Sequence, residues 1–252
     1  MNAFHAVRRA VNVVLGPLGV QVVRGRAHDP GVQSFIPARK TIAAAERAGL
    51  SVGDYLDATF AEPGATRRTV EAMLQLSGLR EPSTRVCEIG TGSGRYLEAV
   101  VAALHPKTYE VYEPAEDWAH HLQRMPSVVM RHSDGRTLRD TATASVDLVH
   151  AQKVFVYLDF ATLVGYFEEM VRVVRVGGAV AFDVVTEECL DDATVAEWSA
   201  RGSVFRPVPK DWVLDFLERR GLTYLGHHIA PLPPGTTDLL VFRRNGTETP
   251  DS

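Results

Sequence analysis

From residue 84 onward, short apolar runs alternate with longer stretches of helical spacing. The alternation predicts an α/β fold, a parallel sheet with helices on both faces. The apolar runs place strands at 85–89, 108–113, 128–131, 146–151, 179–185, 223–228 and 238–243. Helices fill the intervals at 96–104, 115–124 and 160–174, with one or two more between 190 and 220. The clearest carries Leu163, Phe167, Met170, Val171 and Val174 on one side. Gly177-Gly178 reads as the turn into the fifth strand. Residues 231–235, with three prolines, are too few for a crossover helix, so the last two strands must run antiparallel.

Upstream the pattern is helical and more broken. Phe4, Val7, Val11, Val14, Leu15 and Leu18 fall on one helical face, with Arg8, Arg9 and Asn12 elsewhere. Two readings of this helix stay open. It packs on the chain's own core or a partner subunit, as in a homodimer, or it rests as a basic amphipathic helix on a membrane surface. Gly16-Pro17-Leu18-Gly19 stops it, and 20–23 reads as a short strand. Pro30 and Pro37 mark 28–39 as a loop; helices follow at 41–48 and 67–76, the latter ended by Gly78. Ser51 to Phe60 reads as a lid or a wall of a substrate site. The division expected is a helical extension and lid over 1–82, a core domain over 83–244 and a disordered tail over 245–252.

Bulk properties narrow the class. With 252 residues, 45% apolar and 23% charged, the chain can bury a large core. A net charge of -4, with no basic stripe interleaved with aromatics, gives no reason to expect nucleic acid as partner. Cys87, in an apolar strand, reads as a reduced buried thiol, and with Cys189 as the only other cysteine this favours a cytoplasmic setting. No apolar run is long enough to span a bilayer. Arg24 and Arg26 directly after the N-terminal apolar stretch, without a small-residue cleavage site, argue against a cleaved signal.

The chemistry concentrates in Glu88-Ile89-Gly90-Thr91-Gly92-Ser93-Gly94-Arg95, between a strand and a helix. Alternate glycines let a ligand approach the backbone closely, and the helix start adds free N–H donors. A carboxylate at Glu88 would repel a pyrophosphate and favour an ammonium. The dinucleotide fingerprint needs a glycine where this chain has Arg95. The pattern E-x-G-x-G-x-G resembles motif I of the class I S-adenosylmethionine (SAM)-dependent methyltransferases. Residues 144–151 resemble that family's fourth strand and 173–178 the turn before its fifth, with Val176 in place of a frequent proline. The resemblance implies a seven-stranded, mostly parallel Rossmann-like sheet with an antiparallel last strand, and SAM as cofactor.

Acids at successive strand ends fit that cofactor. Glu113 would accept bonds from ribose hydroxyls, and Asp134, beside Gly135, from an adenine amino group. Gly90, Thr91 and Gly92 would form the cofactor turn, with Ala151 and Gln152 on the opposite wall. His150, ending the fourth strand, is the candidate general base, and Asp183 would orient a base or bind acceptor hydroxyls. No ligand cluster compels a metal. A softer likeness of 13–20, 150–158 and 182–187 to bacterial methyltransferases of glycan or glycolipid assembly implies a hydroxyl acceptor on a small molecule, sugar or glycolipid. Two alternatives stand beside this: an NAD-dependent oxidoreductase of the same fold class, and a non-catalytic SAM-binding subunit.

Overall fold

Strand β1 (Arg85–Ile89) is buried from Val86 onward, and β4 (Val146–Ala151) is buried along its whole length. Runs without alternation belong in the middle of a sheet covered on both faces, and these two strands pair in parallel there. The computed structural model describes residues 36–80 and 85–246. The helix expected over 4–18, the strand over 20–23 and most of the expected tail therefore lie outside the described residues.

The remaining strands are β2 (Thr108–Tyr112), β3 (Val128–Met130), β5 (Val174–Val184), β6 (Leu222–Leu232) and β7 (Gly235–Arg244). Their order is β3-β2-β1-β4-β5-β7-β6, and β7 alone runs antiparallel to its neighbours. This is the seven-stranded sheet expected. The chain builds outward from β1 to β3, then returns to place β4 on the other flank of β1. That reversal opens a crevice beyond the carboxyl ends of β1 and β4, where ligands of open α/β sheets bind.

Five strands differ in their bounds from expectation, and the largest single shift is at the start of β5. β5 begins at Val174 and passes through Gly177-Gly178, which were read as a turn, and its register with β4 shifts between Val146 and Leu148. A Cβ on Gly178 would lie 2.9 Å from the Asp147 carbonyl oxygen. The glycines thus lie in a bulge of β5 packed close against β4.

Helices cover both faces. On one face α6 (Phe160–Val173) and α8 (Lys210–Glu218) bury Leu163, Phe167, Met170, Val213 and Leu217 against Ile89, Val149 and Phe182. Asp159 caps α6 by accepting from Thr162 N. On the other face α3 (Ala65–Ser77) and α4 (Arg95–Leu104) set Val70, Met73, Leu97 and Val100 against Val86, Tyr109, Leu148 and Val241. Helix α5 (Glu116–Leu122) flanks β3, and α7 (Asp192–Arg201) follows β5.

The stretch read as a lid is an ordered helix. α2 (Val52–Phe60) starts at Ser51, whose hydroxyl oxygen accepts from Asp54 N while its O–H donates to the Asp54 carboxylate. Ahead of it α1 (Ala38–Ala48) starts after Pro37 and ends at Gly49 in the left-handed region. The α1 N-terminus is tied to α5: Ala38 N donates to Asp117, and Trp118 Nε1 donates to the Ile36 carbonyl. Among the described residues, no helix is long and apolar enough to cross a membrane.

Candidate active site

The glycine turn leaves β1 at the head of the crevice. Gly90 has φ +65, and a Cβ there would lie 2.4 Å from Val154 Cγ2, so only glycine fits between the turn and the loop after β4. Gly92, at φ +53, faces open space, with only the Gly90 carbonyl oxygen within 4 Å of a built Cβ. The Thr91 hydroxyl is buried at the turn. It lies near enough to Glu88 to soften that carboxyl's shift, yet finds no partner of hydrogen-bonding geometry.

Glu113, just past β2, faces this turn. Its Oε2 accepts from Gly92 N at 2.6 Å and its Oε1 from Ala115 N at 2.7 Å. Burial raises the carboxyl above the ordinary range, and the two N–H groups partly offset the rise. Asp134 is placed differently. It is exposed and closed on its own loop, accepting from Arg136 N, Thr137 N and the Thr137 hydroxyl. Slight burial would raise it, but those bonds outweigh it and hold the carboxyl low. Gly135 beside it has open space around it, and Ala151 is buried at the end of β4.

Glu88 lies beneath the turn, 1% exposed, in register with Val111 of β2 and His150 of β4. The Tyr109 hydroxyl stands between them, 2.7 Å from Glu88 Oε2 and 2.7 Å from His150 Nε2. His150 Nδ1 lies 2.6 Å from Gln152 Oε1, and Gln152 Nε2 donates to Met73 Sδ at 3.6 Å. His150 was expected to face the pocket as a base. It is instead fully buried with both ring nitrogens engaged, because alternation along β4 turns it toward α3. Burial pushes the imidazole down to about 4 and Glu88 up to about 8.

Asp183 is likewise occupied. Its Oδ1 accepts from Lys153 N at 2.6 Å; its Oδ2 lies 3.0 Å from Lys153 Nζ and accepts from Thr237 Oγ1 at 3.0 Å. Lys153 Nζ also donates to Thr237 Oγ1. A lysine at the end of β4 is a surface residue by default. Here it has φ +59 and its ammonium is largely buried, held down by burial and up by Asp183. Arg95, where a dinucleotide site would carry glycine, reaches Asp57 of α2 at 3.1 Å. Buried Asp57 also accepts from Thr66 N and Thr66 Oγ1, which fastens α3 to the same charge. The sequence held no signal for this triad, nor for Tyr109; both depend on how distant elements meet.

Two cavities lie outside the turn. One, of about 410 Å³, sits among α2, α3 and α4; the other, of about 440 Å³, lies beside the β6–β7 connection. Glu188, His227 and Asp238 gather side chains that could ligate a metal, but Lys210 Nζ stands among them, within 2.9 Å of each.

Residues 87–182, which carry β1, the glycine turn and β4, match a family model described as a methyltransferase domain. The fold is that of the class I SAM-dependent methyltransferases. The methyltransferase component of a Haloferax volcanii complex with the Trm112 methyltransferase activator is 16% identical, with a TM-score of 0.60, over 84% of this chain and 100% of that one. The N-methyltransferase NodS of Bradyrhizobium japonicum, bound to S-adenosyl-l-homocysteine, is 19% identical at a TM-score of 0.56, over 82% and 99%. Magnesium protoporphyrin IX methyltransferase of Synechocystis, also bound to S-adenosylhomocysteine, is 13% identical at 0.56, over 96% and 99%. No curated protein matches the chain.

The neighbours of this fold include proteins bound to S-adenosylhomocysteine, and the turn of this chain has features that suit such a ligand. The space beside Gly92 is open, an unpaired buried hydroxyl waits at Thr91, and a carboxylate at Glu113 borders both. Backbone donors and an acid at one strand-to-helix turn suit a nucleoside that also carries an ammonium.

Proposed function

We propose that this methyltransferase acts on an oxygen, the hydroxyl of a small molecule, sugar or glycolipid. The observation behind the proposal is the donor-rich ground beyond β4 and β5. Lys153, Arg95, Tyr157 and Thr237 gather there, close enough that Arg95 and Asp183 both act on Tyr157. Of the three N–H donors of the Lys153 ammonium, Asp183 and Thr237 use two, which leaves one to orient an acceptor oxygen.

SAM supplies a methyl group already activated on a sulfonium. The chain's share is alignment, worth roughly 7–11 kcal/mol at best, and exclusion of water. Asp183, with Thr237, serves as the residue that positions Lys153. The test is transfer from labelled SAM to panels of hydroxylated small molecules, sugars, glycolipids and amines. Labelling confined to amines would refute the oxygen assignment.

The glycolipid form of the proposal places residues 4–18 as a peripheral contact on the inner face of the membrane. Flotation with anionic liposomes should carry the full chain, and a chain lacking residues 1–35 should stay in the soluble fraction. Equal recovery of both with the soluble fraction would end that part.

A further inference from the structure

Four buried groups on β1, β2, β4 and the residue just past β4 form a hydrogen-bonded chain whose proton count is fixed by geometry. Gln152 directs its NH2 group at Met73 Sδ, an acceptor only, so its Oε1 must face His150. His150 Nδ1 therefore carries a hydrogen and donates to Gln152. A neutral ring then presents a bare Nε2 to Tyr109. The Tyr109 hydroxyl has one proton and meets two acceptors at 2.7 Å, Nε2 on one side and Glu88 Oε2 on the other. The chain is satisfied only with one proton more than an ionised Glu88 and a neutral imidazole supply.

We infer that Glu88 holds that proton in the cofactor-free enzyme and releases it when the donor's ammonium arrives, with Tyr109 and His150 as positioning residues. Glu88 O–H donates to Tyr109, Tyr109 to His150 Nε2, and His150 to Gln152. Every group is paired and none is charged, the cheapest state for a site this deeply buried. The same proton on His150 would leave an imidazolium and a carboxylate 4.0 Å apart, both desolvated. Burial opposes both charges, raising Glu88 and lowering His150. The groups around Glu88 are Tyr109 of β2, His150 of β4, Tyr96 of α4, the Thr91 hydroxyl, neighbouring Cys87 and the Glu113 carboxylate. None is a cation that would hold Glu88 ionised.

On binding, the carboxyl proton passes to water and the ligand's ammonium takes its place. Tyr109 turns its hydrogen to the new carboxylate, and His150 keeps its own on Nδ1, because Met73 Sδ holds the Gln152 amide in place. The inference rests on the cofactor assignment, but its first test needs no cofactor. Infrared spectra of the free enzyme near pH 6 should show the carbonyl stretch of a protonated carboxylic acid, absent from Glu88→Gln. Tyr109→Phe, which breaks the link to the phenol, should shift the band; should that variant not fold, wild type and Glu88→Gln decide alone. A missing band, or one unchanged in Glu88→Gln, overturns the inference.

The second test is calorimetry with S-adenosylhomocysteine in buffers of different ionisation heat. Wild type should release about one proton at pH 7, falling toward zero above the Glu88 range. Glu88→Gln, whose amide can still donate to Tyr109, should bind without that release. Binding by wild type with the same proton count as Glu88→Gln overturns the coupling. Failure of both proteins to bind would instead fall on the cofactor assignment.

Discussion

Gly90 and Gly92 look alike in the sequence, yet their surroundings separate them. Alanine at 90 would meet Val154 and sit in a left-handed conformation; it should cost about 2–4 kcal/mol in denaturant unfolding. Alanine at 92 meets almost nothing and should cost only about 1–2 kcal/mol for its conformation. Its methyl group would enter the space kept for the cofactor, so calorimetry should show affinity for S-adenosylhomocysteine falling more than stability does. Glu113→Ala removes an acid held against Gly92 N and should weaken the same binding by about tenfold to a hundredfold. Equal affinity would withdraw Glu113 from the site.

At the scale of elements, Asp57 fastens three helices. It sits in α2, accepts from Thr66 at the start of α3 and pairs with Arg95 at the start of α4. Asp57→Ala would strand a guanidinium that is mostly buried and should cost about 3–5 kcal/mol by chemical denaturation. A loss within 0.5 kcal/mol would show that the pair is replaced by water.

The sequence was most legible where burial is least ambiguous. β1 and β4 appear with the bounds expected, since apolar runs covered on both faces stand out from the loops around them. Gly177-Gly178 misled because a strand bulge and a turn ask for the same residue. His150 and Asp183 were expected to face the crevice, yet both are buried and engaged within the protein. What they touch is decided by strand register and by Lys153, and neither is written in the local sequence. Of the strand-end acids, Glu113 meets the glycine turn while Asp134 closes on its own loop, a difference the strand-end pattern does not carry.

At the scale of the molecule, stability should depend on pH through the buried chain. Glu88 is pushed up to about 8 in the folded state from an ordinary 4.5, so its contribution is full below 4.5 and is lost as pH rises through 8. His150 is pushed down to about 4 from an ordinary 6.5, so its burial weakens the fold as pH falls below 6.5. The two slopes oppose each other between about 4.5 and 6.5. From 6.5 to 8 only the Glu88 slope remains, and the cofactor-free protein should lose stability across that window. Unfolding curves of Glu88→Gln should lack this decline; the same decline in both proteins would place its origin elsewhere.

The insertion of β7 between β5 and β6 sets an order of assembly. β6 precedes β7 along the chain, but among the described residues its only strand neighbour is β7, and that seat does not exist until β7 has docked on β5. During synthesis β6 must therefore wait, its sheet edge unpaired, for ten residues that the ribosome has yet to deliver. A chaperone that shields this interval would matter most for the stretch between Leu222 and Leu232.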